Sequence, residues 1–214
     1  GFRGQADEGR YLDYALYPKI NGIASYPRLF REYLAHRENW KWPPPLRVGY
    51  VLTASVWVRI SGSSFTSLAL LSLCCYALFV LISFGFCRKL FGETIAAPFL
   101  MLLAFSPLSM ALSRRALTDS MGNLFIGASL WLFMCFLTGG RRSVFALFLA
   151  SFSFSLLVRE QFALFLPVFV ICFLIHRCLY GKEMPLVYVP LMIAVPLAVA
   201  GTIWSICAWS LADP

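Results

Sequence analysis

The sequence predicts an all-α, polytopic helical membrane protein with a layer of amphipathic helices on its outer face, and three observations lead there. Of its 214 residues 60% are hydrophobic and 13% charged, with a mean hydropathy of +0.75, a balance outside the range of soluble domains. Half of the charged side chains fall within residues 1–63. Beyond that point apolar runs long enough to cross a bilayer core, which takes roughly 20 residues each, follow one another. The formal charge of +8 is spread through the first sixty positions and then confined to short gaps between apolar runs. That pattern encodes membrane topology and excludes nucleic-acid binding.

Residues 1–63 form an external loop layer with juxtamembrane helices, and residues 64–214 a transmembrane bundle of about six helices. The opening GFRGQADEG has neither an initiator Met nor an apolar signal core, so the chain reads as a fragment with a preceding membrane helix missing. In the stretch 26–39, Leu29, Phe30, Tyr33 and Leu34 are spaced to share one face of a short amphipathic helix. After Pro43, Pro44 and Pro45, residues 46–61 are apolar but short and are bracketed by Arg47 and Arg59. This segment is expected to lie along the interface with both Arg heads in water and Trp57 at headgroup depth; a short spanning helix is the other reading.

The spans then fall at 64–87, 93–112, 120–138, 143–158, 161–176 and 185–209. Three gaps carry Arg88, Lys89, Arg141, Arg142, Arg177 and Lys182 and face the cytoplasm by the positive-inside rule. The other gaps, LSRRALTDS at 112–120 and VREQF at 158–162, then share the outer face with the amino-terminal layer. The seven cysteines fit no metal spacing and lie in or beside apolar segments, where Cys acts as a small hydrophobe.

The candidate site collects on that outer face: Asp7, Glu8, Arg10, Arg114, Arg115, Asp119 and Arg159. Each has an ordinary reading. Asp119 reads as a helix N-cap, Asp7 to Arg10 as a solvated loop, and Arg159 as the local partner of Glu160. Their convergence on one face favours a site for a phosphate-bearing lipid. Arg offers fixed, forked donors to phosphate oxygens, and a carboxylate can serve as base for a hydroxyl nucleophile. A membrane transporter and a non-catalytic membrane scaffold are the rival classes, since intramembrane charge also marks transport paths and small residues such as Gly122 and Gly127 suit helix packing.

Four stretches, DEGRYLDYA, PPPLRVGYVLTASVWVRISG, CRKLFGE and SRRALTDSMGNLFIGASLWLF, taken in order and at this spacing, resemble the GT-C glycosyltransferases. Within that superfamily they are most similar to the protein O-mannosyltransferase and aminoarabinose (lipid A) transferase group. The resemblance covers about residues 5–140; beyond it the chain matches only as generic membrane helix. It implies an enzyme that takes a sugar from a polyprenyl-phosphate donor and passes it, with inversion, to the hydroxyl of a lipid, glycan or protein acceptor. It further implies that Asp7 is the catalytic base, that Arg10 is the Arg of the acidic motif, and that Asp119 is the second acidic position. The partners implied are the lipid bilayer, the lipid-linked sugar and the hydroxyl acceptor. The spacing leans towards bacterial relatives, which implies an inner-membrane protein with its site facing the periplasm. One departure concerns a divalent metal: an acidic residue usually precedes the Pro-rich turn in the aminoarabinose branch, whereas Lys41, Trp42 and Pro43 stand here. Metal use is therefore in doubt, and with the carboxy-terminal half of a typical member missing, the fragment is expected to have an incomplete acceptor site.

Overall fold

The computed structural model describes residues 6–41, 45–180 and 185–209. They form ten α-helices. Three make a layer: α1 (Ala6–Asn21), α2 (Tyr26–Ala35) and α3 (Val48–Ser61). Seven make the bundle: α4 (Phe65–Phe91), α5 (Glu93–Ala104), α6 (Pro107–Ser113), α7 (Asp119–Gly139), α8 (Arg142–Val158), α9 (Phe165–Tyr180) and α10 (Tyr188–Trp209).

Local chemistry explains the boundaries. Ser64 caps α4 by accepting from Ser67 N at 3.1 Å, and Gly92 and Gly140 end α4 and α7 at φ +83° and +66°, where a side chain would be strained. Pro107 begins α6 behind the Ser106 cap, where its missing N–H costs nothing. The result is that α5 and α6 meet at 57°, a bent pair that together can form one span.

Among the described residues, four helices are long and apolar enough to cross a membrane, or five if the bent pair counts as one span. Each of the six apolar segments read from the sequence is helical. The segment at 143–158, however, is a helix of 17 residues, about 26 Å long at 1.5 Å per residue and short of a bilayer core of about 30 Å. The lipid-facing character of the bundle is plainest in the stretch Glu160–Tyr180, whose apolar window is only 11% buried.

Contacts set the directions. Ser72 on α4 donates to Leu117 O just before α7, Gly85 lies under the Trp131 ring, and Lys89 reaches Cys135, so α4 and α7 run parallel. Helix α8 returns antiparallel to α7: Ser129 meets Ser151, Phe136 meets Phe145, and Asp119 meets Arg159. Phe133, Phe136, Phe148, Phe152, Phe169 and Phe173 fill the space among α7, α8 and α9. Rings such as Phe133–Phe169 and Phe148–Phe169 pack edge to face at 5.0 and 4.9 Å, the arrangement aromatic quadrupoles prefer.

The layer departs from the sequence expectation in one respect. Helix α3 does not rest loosely on a surface; it is wedged among α1, α4 and α8 with Tyr50, Val51, Ala54 and Val58 fully buried. Gly49 allows this, since a Cβ there would stand 3.2 Å from the Leu157 backbone. Its flanking cations differ: Arg47 is half-buried, while Arg59 stays exposed at the other end of the helix. Arg59 donates to Pro18 O at 2.9 Å, and Trp57 Nε1 donates to Ser67 O at 2.8 Å. In α2, Leu29, Phe30 and Tyr33 are buried as the spacing predicts, while Leu34, a further 100° around the helix, is exposed. Cys74, Cys75, Cys87, Cys135, Cys172 and Cys178 carry free thiols.

Candidate active site

The first turn of α1, the start of α3, the turn at 114–118, the start of α7 and the end of α8 meet at one end of the bundle, and three linked polar contacts hold them together. Arg115 Nε donates to Glu8 Oε1 at 3.0 Å, with the Glu8 side chain 15% exposed and that of Arg115 35%. Arg47 donates to the Tyr11 hydroxyl and, at 3.2 Å, to Thr118 Oγ1, with its guanidinium 5.9 Å from the Tyr11 ring centroid. Arg159 Nη1 donates to Asp119 Oδ1, while its Nη2 donates to Gln161 Oε1 at 3.0 Å.

Each group is where it is for a local reason. Tyr11 is buried between Tyr14 and Tyr50 in two edge-to-face contacts at 6.3 and 5.2 Å, which aims its hydroxyl at Arg47. Arg47 is fixed because the chain just before it is anchored twice: Tyr26 OH donates to Pro45 O, and Trp204 Nε1 donates to Leu46 O at 3.4 Å. Asp119 is the first residue of α7, where the helix dipole favours an anion. Gly122, one turn on, lets the end of α8 approach, since a Cβ there would meet Phe162 Cε2 at 2.7 Å and Arg159 Cδ at 3.3 Å.

The predicted site residues divide accordingly. Glu8, Arg115, Asp119 and Arg159 are brought together in these contacts. Arg10 is half-buried one turn from Tyr14, whose phenol burial pushes up to about 12, with Tyr33 adding to the rise and Arg10 opposing it. Arg114 is exposed. Asp7 falls in the first turn of α1, but its side chain lies outside the described residues, as do those of Trp40 and Trp42.

Two ordinary readings do not hold. Asp119 is not the N-cap: Thr118 occupies that position, without a side-chain capping bond, because the Asp119 carboxylate is drawn to Arg159. Arg159 in turn pairs with Asp119 across the helix junction, leaving the neighbouring Glu160 exposed.

Sequence reasoning missed Tyr11, Thr118 and Gln161 as members of the cluster, and read Arg47 only as a flanking charge. For Arg47 a signal existed: a cation fixed directly behind three prolines and ahead of a short apolar helix. Nothing in the local pattern marks Gln161. No group of three or more His, Cys, Asp or Glu side chains suited to a metal ion occurs among the described residues.

The sequence profile of the dolichyl-phosphate-mannose-protein mannosyltransferase family matches residues 44–209. The chain belongs to this family. It is thus an integral membrane protein of a glycosyltransferase family whose members use a polyprenyl-phosphate-linked sugar as donor. The match runs through α10, well past residue 140, so the carboxy-terminal helices are family sequence and not merely generic membrane helix. It begins at residue 44, so the acidic stretch at the start of α1 lies outside it. No curated protein and no solved structure matches the chain.

Proposed function

We propose that this chain carries the donor site of an inverting sugar transferase, with the phosphate of the polyprenyl-phosphate sugar held among Arg47, Arg115 and Arg159 and an acceptor hydroxyl approaching Asp7. The observation that carries this reading is the gathering of three half-buried guanidinium groups and two carboxylates, linked by polar contacts, at one end of the bundle. One of those guanidinium nitrogens, Arg159 Nε, is buried without a hydrogen-bond partner among the described residues. A buried donor left unmatched costs about 1–3 kcal/mol, a cost that a phosphate oxygen would remove.

In the proposed step Asp7 takes the proton of the acceptor hydroxyl, the oxygen attacks the anomeric carbon from the face opposite the phosphate, and polyprenyl phosphate departs with inversion. Charge grows on the leaving phosphate. The arginines stabilise it, and they do so strongly because their surroundings are apolar and their positions preset. Glu8 serves by holding Arg115 in place, and Asp119 by orienting Arg159; neither acts as a second base. Arg10 and Arg114 lie at the margin of the site and steer the anionic donor. Holding a lipid-borne donor and its acceptor in register contributes at least as much as the base.

Topology supports a site on the face away from the cytoplasm, which is the periplasmic face in the bacterial inner membrane implied by the family resemblance. Arg88, Lys89, Arg141, Arg142 and Arg177 sit at the opposite end of the bundle, the end the positive-inside rule assigns to the cytoplasm. The test is transfer of labelled sugar from polyprenyl phosphate by the protein and by Asp7→Asn. Loss of the base is expected to lower transfer by about 10²–10⁴-fold. Undiminished transfer by the variant would reject Asp7 as the base, and flux of substrate through reconstituted vesicles without sugar transfer would replace the enzyme with a transporter.

A further inference from the structure

A second feature lies at the other end of the bundle, on the outer surface between α4 and α7. Leu81, Ile82, Gly85, Ala128, Trp131 and Leu132 line an open groove of about 410 Å³. The Trp131 indole is its end wall, and on the far side of that ring a smaller recess of about 100 Å³ runs on past Lys89, Met134 and Thr138. From Leu81 to Lys89 the two together span nine residues of α4, roughly 12 Å of helix.

The chemistry changes sharply along this length. Every side chain of the larger groove is apolar; Gly85 lets the Trp131 ring lie close against α4, and the small Ala128 side chain leaves room beside it. At the end, the Lys89 ammonium stands 6.0 Å from the Trp131 ring centroid and, among the described residues, donates only to Cys135 Sγ at 3.4 Å, a weak acceptor. Its neighbour Arg88 has a carboxylate partner, Glu93, at 3.7 Å; Lys89 has none among the described residues. Trp131 and Lys89 are the pairing expected where a hydrocarbon core gives way to headgroups.

We propose that this groove is a binding site for an anionic phospholipid of the bilayer, one acyl chain lying against Leu81, Ile82 and Ala128 and the headgroup phosphate meeting Lys89. Charge complementarity selects the occupant. A zwitterionic lipid would bring its own cation to a site that already supplies one, whereas an anionic headgroup provides Lys89 with the counter-charge that Cys135 cannot. The site stands at the opposite end of α7 from Asp119, and it does not depend on the sugar-transfer reading.

The experiment uses the indole as reporter. The protein is reconstituted in vesicles with bromine-labelled acyl chains on either phosphatidylglycerol or phosphatidylcholine, and the difference in quenching between the chain and Trp131→Phe isolates Trp131. Brominated phosphatidylglycerol is expected to quench Trp131 at a lower mole fraction than brominated phosphatidylcholine. Lys89→Gln, a change at an exposed position, is expected to weaken that preference about fivefold, the effect of one basic residue near an anionic surface. Ala128→Phe, which fills the groove, should reduce quenching by both lipids. Equal quenching by the two headgroups, or a preference that survives Lys89→Gln, overturns the proposal. Relief of quenching by unlabelled polyprenyl phosphate at a lower mole fraction than by unlabelled phosphatidylglycerol also overturns it, by assigning the groove to the sugar carrier.

Discussion

Replacing Asp119 by Asn and Arg159 by Gln, singly and together, tests whether the end of α8 is tied to the start of α7 by charge. Arg159 spreads its donors over Asp119 and Gln161, and the two charged side chains are 22% and 26% exposed. A hydrogen bond between charged groups is worth about 1.5–3 kcal/mol when water is excluded. The partial exposure returns some of that to solvent, leaving about 1–2 kcal/mol. Asp119→Asn loses this and also the attraction between the carboxylate and the amino end of α7, about 0.3–1 kcal/mol more. Arg159→Gln leaves that second attraction intact. The order of damage is therefore Asp119→Asn greater than Arg159→Gln, with the double variant little worse than Asp119→Asn alone. Reversible unfolding in mixed detergent micelles, read as a double-mutant cycle, measures the coupling directly. A sum of single effects that matches the double variant to within about 0.3–0.5 kcal/mol would show that the two side chains are independent and would refute the reasoning.

Other consequences can be read the same way. Gly122→Ala should destabilise the protein by about 1–3 kcal/mol in spite of the better helix propensity of Ala, because the Phe162 ring and the Arg159 stem would have to shift; the same titration, together with sugar transfer, would register both effects. Gly49→Ala should weaken the seating of α3 by a similar amount, about 1–3 kcal/mol, since the atom it meets is Leu157 backbone and cannot turn aside, and proteolysis near residues 45–47 would report the loosened helix. Tyr14 offers a prediction in pH. With its phenol raised from 10.0 to about 12, the folded chain holds a proton that the unfolded chain releases, so stability is unaffected below pH 10 and falls as pH rises from there towards 12. Denaturation across that window, compared with Tyr14→Phe, should show a smaller alkaline loss in the variant.

Much of the architecture was legible because a bilayer imposes a simple rule on sequence. Stretches such as 64–87 and 120–138 are helical because an unpaired backbone has no partner in hydrocarbon, and Gly92 and Gly140 mark their ends as turn glycines do anywhere. The membrane depth of 46–61 was harder to read. Its composition is compatible with an interface or a short span, and only the close approach of Gly49 to α8 and the burial of Tyr50, Val51, Ala54 and Val58 reveal a helix packed on three sides. The site was half legible. Glu8, Arg115, Asp119 and Arg159 attract notice because charge beside an apolar span is costly, but which carboxylate meets which guanidinium depends on the crossing of α1 over the start of α7, a tertiary relation with no periodic trace. Asp119 shows the difficulty: its position predicts a cap, and a residue 40 places away takes its carboxylate instead.

The central claim is that the donor phosphate binds where the first turn of α1 meets the start of α7. A polyprenyl-phosphate sugar carrying a photoreactive group beside the phosphate would be irradiated with the reconstituted protein and the labelled residues identified by mass spectrometry. Labels on residues 8–11, 114–119 and 159–162 are the predicted result. Labels confined to 88–93 and 141–142, at the opposite end of the same helices, would contradict it.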